Sequence, residues 1–351
     1  MRPVLAEKKC MDMVCLPILE DQGMVTADSS MIIRGFNLMR QIGRDQEIGF
    51  ADPGLEKSVR ITLNKPYGSI PIQELKSIRM LNASRGAIQS LTGLDQLTAL
   101  EDLHCMGNSL TDTAGLTNLR NLKELNLSHN LLRDIREIRG LESLHKLHLG
   151  RNQIADIGCL ARLRQLRDLV LSYNQISDIH PLAELSGLEE LHLTGNQISD
   201  ISPLKKLTNL KILSLSYNQV QDLSPLMAMK NLQKIWLRGN QIQDIQPLEE
   251  LKELALLYLG SNQVRRIDFL SKLSKLHDLD LSNNQLTEIQ SLLGLSNLRE
   301  LILSNNQIKN INGLTKLKNL AIVELSHNPA IHIIDPSTRM TFEHLAARGC
   351  L

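Results

Sequence analysis

The chain has 351 residues, with 39 basic and 38 acidic side chains and a formal charge of +1. That balance gives no reason to expect nucleic acid or an anionic membrane as partner. Aromatic residues make up only 3%, so the core must be built from aliphatic side chains.

Residues 1–47 match no pattern found further along and are left unassigned. Their first apolar run, MVCLPIL, is short, contains a proline and is followed at once by Glu20 and Asp21. A secretory leader needs a longer uncharged run, so a cytoplasmic location is expected, with secretion or surface display as the alternative. The stretch MIIRGFNLMRQIG places Ile32, Phe36 and Met39 at helical spacing. Such a helix either packs on the rest of the fold or presents Arg34 and Arg40 to a membrane or partner. No segment approaches the ~20 apolar residues of a transmembrane helix. The five cysteines (Cys10, Cys15, Cys105, Cys159 and Cys350) are odd in number and form no CxxC pair. Neither a disulfide framework nor a zinc site is expected from them.

Residues 48–77 read as a helical cap. Asp52 followed by Pro53 is a helix start, and Leu55, Val59 and Leu63 follow at helical spacing. LNKPYG stops that helix, and IPIQELKSI reads as a second, short one.

From residue 78 to about 330 the chain repeats every 22 residues. An asparagine recurs without insertion at positions 108, 130, 152, 174, 196, 218, 240, 262, 284, 306 and 328. Leucine or isoleucine keeps fixed offsets around each, as in Leu166, Leu169, Leu171, Ile176, Ile179 and Leu182 about Asn174. A degenerate copy, IRMLNASRGAI, precedes them with Gly86 in the asparagine position. The pattern LxxLxLxxNxI resembles the leucine-rich repeat. The segment around LxL is expected to be a short strand with its two leucines on one face. Stacked about 4.8 Å apart, such strands form a parallel sheet. The asparagine turns inward to satisfy backbone at the bend. Pro181, Pro203, Pro225 and Pro247, each three residues after an aspartate, mark capped turns on the opposite, convex side. The expected fold is a curved α/β solenoid with a parallel concave sheet of about twelve repeats and helical caps. Residues 331–351 hold the second cap: DPSTRMTFEHLAARG starts with Asp-Pro and ends in glycine, with Met340 and Leu345 available to cover the last coil.

Two passages carry a family resemblance. NQISDISPLKKLTNLKILSLSYN is similar to the repeat of bacterial internalins. FADPGLEKSVRITLNKPYGSI, followed by LNASRGAIQSLTGLDQL, resembles the internalin-type cap and first repeat. The resemblance spans residues 48 to about 330 and implies the fold and a binding role. The eukaryotic phosphatase regulators with 22-residue repeats share the repeat consensus, and a regulatory subunit of that kind is a further alternative.

On the solvent side of the strands, the residues six and four before each asparagine form two columns. These place the single tryptophan, Trp236, beside Tyr258, Leu256 and Ile212 in one apolar patch. Lys234, Arg238 and the acidic Asp278, Asp280 and Glu300 are expected at its rim. The patch is read as the centre of an interface with a protein or peptide; recognition of a glycan or small ligand by Trp236 and Tyr258 is the alternative. His104, His148 and His192 fall on every second strand, about 9–10 Å apart, too far to share a zinc ion. They are instead candidates for pH-sensitive binding. No GxSxG, phosphate-loop, HExxH or GxGxxG motif occurs. Hence no enzyme activity, cofactor or metal is expected, and the chain is expected to be a monomer.

Overall fold

A computed structural model describes residues 49–332 and 336–350. The expected helix within residues 31–43, and Cys10 and Cys15, lie outside the described residues.

Among the described residues, twelve three-residue strands run in chain order through one parallel sheet. They are β1 (Met80–Asn82), β2 (Asp102–His104), β3 (Glu124–Asn126), β4 (Lys146–His148), β5 (Asp168–Val170) and β6 (Glu190–His192). They continue as β7 (Ile212–Ser214), β8 (Lys234–Trp236), β9 (Leu256–Tyr258), β10 (Asp278–Asp280), β11 (Glu300–Ile302) and β12 (Ile322–Glu324). Pairing is strictly in register: Leu213 opposes Ile235, and Ser214 opposes Trp236. The central residue of every strand is buried and its two neighbours face the other way, as strand alternation requires.

Each strand stops after three residues because the chain turns into the asparagine ladder. Asn196 shows the geometry. Its Oδ1 accepts from the Ile176 N–H of the preceding coil at 3.0 Å. Its Nδ2 donates to the Leu193 carbonyl at 3.0 Å and to the Leu171 carbonyl at 3.1 Å. One amide thus closes its own bend and ties it to the coil before. The residue preceding the asparagine is left-handed in most coils, with φ of 58° at Tyr173, 68° at Gly195, 56° at Tyr217 and 68° at Gly239. A second asparagine ladder runs along the flank: Asn209 Nδ2 donates to the Ser186 carbonyl at 2.9 Å, and Asn231 Nδ2 to that of Thr208 at 3.0 Å.

Opposite the sheet, most coils carry a short 3-10 turn. The Asp-x-x-Pro motif acts one residue earlier than a helix cap would. Asp200 Oδ1 accepts from the Ser202 N–H at 2.8 Å, Ser202 opens the turn Ser202–Lys206, and Pro203 is second in it. An aspartate reaching two residues on is the favoured Asx-turn geometry, and a five-residue 3-10 turn leaves no room for a full helical cap.

The N-terminal cap has helices α1 (Pro53–Thr62) and α2 (Ile72–Leu75), burying Leu55, Val59 and Leu75. Asp52 does more than cap α1. Its Oδ1 accepts from Gly54 N at 2.8 Å and Leu55 N at 3.1 Å, and its Oδ2 from Gln89 N at 2.7 Å and Ser90 N at 3.3 Å. The carboxylate therefore bolts the cap to the first coil. Burial opposes its charge, but these four N–H groups prevail and hold the carboxyl below the usual range.

At the other end α3 (Pro336–Ala347) buries Thr338, Thr341 and Leu345. Met340, expected to cover the last coil, is 68% exposed. Residues 338, 341 and 345 share one helical face, and 340 falls off it. After α3 the chain returns to the sheet. The Cys350 carbonyl accepts from Val323 N at 2.6 Å, and Arg348 Nη2 donates to the carbonyls of Leu317, Lys318 and Leu320 at 2.9–3.1 Å. The edge strand and the last turn are thereby closed.

Candidate binding face

Strand alternation turns the first and third residue of each strand away from the core, so β6 to β11 place the expected residues on one surface. Trp236, Tyr258, Leu256, Ile212, Asp278 and Glu300 are each partly exposed and Lys234 is exposed. Trp236 and Tyr258 pack edge to face, with ring centroids 6.4 Å apart and planes at 78°. Between His192 on β6 and Trp236 on β8 the third position of β7 is Ser214. A serine where both neighbours carry large rings leaves a depression of about 330 Å³. Its floor is Ser214 and Ser216, both buried, with Thr194 hydrogen-bonded to the Ser214 hydroxyl. His192, Trp236, Arg238, Tyr258 and Tyr217 wall it.

Tyr217 is the residue that strand columns cannot find, because it lies in the turn just before Asn218. A Cβ at Gly239 would lie 2.7 Å from Tyr217 Cδ1, so the ring lies over the next coil's glycine. The same arrangement holds between Tyr173 and Gly195, where Arg151 stacks 4.4 Å from the Tyr173 ring centre. The signal is present in the repeated LSYN at residues 171–174 and 215–218, each followed 22 residues after its tyrosine by a glycine.

One of the expected rim residues, Asp280, is not at the rim. Asp280 is 3% exposed and is ion-paired to Arg238 Nη1 at 3.1 Å across the intervening coil. That reach is possible because the intervening coil has Gly260, whose Cβ, if present, would lie 2.7 Å from Asp280 Oδ2. Asp280 also accepts from Ser282 N at 2.8 Å. Arg238 is thus a wall of the depression, held by the buried Asp280, and of the three expected acids Asp278 and Glu300 remain at the margin. Burial, then the charges of Asp278, Asp280 and Glu324, push the Glu300 carboxyl above its usual range.

The three histidines do not converge. His148 Nε2 lies 3.0 Å from Asp168 Oδ2. Burial lowers the pKa of His192, against the opposing pull of Asp168 and Glu190. Among the described residues no group of three potential ligands could hold a metal. Cys105, Cys159 and Cys350 are free, and burial pushes the first two thiols up to about 12. No helix among the described residues is long and apolar enough to cross a membrane.

Residues 120–162, 164–206, 208–250, 252–294 and 296–338 match the family model described as Leucine Rich repeats (2 copies). The crystal structure of an internalin, InlF of Listeria monocytogenes, is 31% identical with a TM-score of 0.74. The match covers 86% of this chain and 95% of that one. The chain belongs to the internalin-like leucine-rich repeat proteins. The functional domain of InlJ from the same organism shares the fold of this internalin-like chain at 24% identity and a TM-score of 0.73, covering 80% of this chain and 60% of that one. The ectodomain of the plant receptor kinase GASSHO1/SCHENGEN3 from Arabidopsis thaliana also shares it, at 24% identity and a TM-score of 0.62, over 74% of this chain and 34% of that one. Comparison with curated proteins gave no match.

Proposed function

We propose that this internalin-like chain binds a protein or peptide partner on its strand face, with Trp236 at the centre. The observation that carries this reading is the placement of the only tryptophan. It stands partly exposed beside a 330 Å³ depression, where the fold itself asks for no large side chain. Aromatic side chains flanking a depression are the usual anchors of an interface. Leu256 and Ile212 extend the patch with aliphatic surface, which suits a polypeptide better than a sugar. The reading includes a monomeric chain in the cytoplasm. Recovery of a native chain lacking its first ~25 residues, the usual leader length, would overturn the compartment.

The test is a peptide library displayed on phage and selected on the immobilised full chain. Binders should lose about 2 kcal/mol or more on Trp236→Ala, roughly thirty-fold in affinity, while melting stays close to wild type. Binders indifferent to Trp236→Ala would remove the patch from the interface. A large loss of melting temperature would instead assign Trp236 to the packed core.

A further inference from the structure

We propose that the occupant of this face is an extended, basic segment: a bulky apolar or aromatic side chain fills the depression over Ser214, and a lysine or arginine about four residues away meets Glu300 and Asp278. This rests on the binding face proposed above and adds the chemistry of the partner. Charge complementarity carries it. On the N-terminal half of the sheet, two of the four solvent-facing acids, Glu124 and Asp168, have a cationic or imidazole partner on a neighbouring strand, while Asp102 and Glu190 have no ion pair among the described residues. Glu124 pairs with Lys146 at 2.9 Å, and Asp168 with His148 at 3.0 Å. From β10 to β12 the acids crowd together, and Asp278, Glu300 and Glu324 have no cation on a neighbouring strand. Asp278 contacts only the adjacent His277, at 3.1 Å, and Arg238 is committed to the buried Asp280. Among the described residues neither Glu300 nor Glu324 has an ion-pair partner. Lys234 stands two strands from Asp278, with Leu256 between.

The spacing selects the partner's backbone. From β7 to β10 is three strand steps, about 14 Å, and to β11 about 19 Å. An extended segment crossing the strands presents same-side residues about 6.8 Å apart. A residue four along from the depression therefore arrives over β10, and a lysine or arginine stem carries its charge the remaining distance to Glu300. Arg238 is held in place by Asp280 through Nη1, leaving its other N–H groups to donate to a passing backbone carbonyl. Burial, and then the like charges of Asp278, Asp280 and Glu324, hold the Glu300 carboxyl above its usual range, so a cation brought beside it relieves the crowding of those charges. An acidic segment would add a further carboxylate to the same margin.

The probe is a synthetic nine-residue peptide in a Gly/Ser background, with phenylalanine at position 3 and lysine at position 7. Trp236 is the chain's only tryptophan, so its emission reports binding at the site directly. The Phe/Lys peptide should shift that emission and bind at least ten-fold tighter than the same peptide with glutamate at position 7. Glu300→Lys should reverse that preference, and Glu288→Lys, the same charge change off the strand face, should not. Equal binding of the lysine and glutamate peptides, or a preference that survives Glu300→Lys, overturns the basic-partner proposal while leaving Trp236-dependent binding intact. No emission change at millimolar peptide overturns the proposal too. The binding face itself fails separately, if library binders ignore Trp236→Ala.

Discussion

Asn196 satisfies three buried backbone groups, two carbonyls and one N–H. Asn196→Ala strands all three, so a loss of roughly 1–3 kcal/mol is expected, the cost of unsatisfied buried groups. Chemical denaturation measures it, and a curve superimposable on wild type would refute the ladder's role. Gly260 is a subtler case. Gly260→Ala places a methyl where the Asp280 carboxylate sits. It should cost about 1–3 kcal/mol by overpacking and break the Arg238–Asp280 pair. In a double-mutant cycle, Arg238→Ala should then cost less in the Gly260→Ala background than in wild type; strict additivity would show that the pair does not depend on the glycine. These residues mark what was legible at this scale. The period-2 rule placed Trp236 and Tyr258, because it fixes which way a strand side chain points, and the 22-residue repeat placed the asparagines at the bends. It says nothing of what a side chain meets across neighbouring coils, so the burial of Asp280 and the role of Tyr217 were out of reach.

Elements carry the ends of the solenoid, where a stack of coils would otherwise expose leucines. Asp-Pro signals located both cap helices, and α1 and α3 lie within a few residues of expectation. The contacts that fasten the caps were not legible, since they join residues distant in sequence: Asp52 to Gln89 and Ser90, and Arg348 to the carbonyls of Leu317, Lys318 and Leu320. The Asp52 carboxyl is held below the usual range in the folded chain. Its stabilising contribution is therefore complete above the unfolded value, about 3.9 for aspartate, and is lost as pH falls through the lower folded value. Asp52→Asn should destabilise the chain at neutral pH, and its stability should converge with wild type as the pH drops below about 4. A constant gap from pH 7 to pH 3 would show that the charge of Asp52 is not what binds the cap to the first coil.

For the whole molecule, the decisive property is that each coil contacts chiefly its neighbours, in identical register. Stability is then close to a sum over repeats and their interfaces, and the period itself becomes testable. Deleting residues 131–152 removes 22 positions and joins Asn130 to Gln153, recreating the Asn-Gln junction found at residues 174–175. Every inward leucine keeps its column, and the ladder donor of the new neighbour still meets its acceptor. The shortened chain should fold cooperatively with eleven strands. Its denaturant slope should fall by roughly one-twelfth, because that slope follows the surface exposed on unfolding. The binding depression between β6 and β8 should be unchanged, so Trp236 should keep its emission maximum. Deleting residues 132–152 instead removes 21 positions. The one-residue slip at the junction either turns the next strand's inward leucines toward solvent or sets Asn174 out of phase with the coil that now precedes it. That chain should aggregate or unfold. If the 21-residue deletion folded as well as the 22-residue one, coil register would not be what holds the solenoid together.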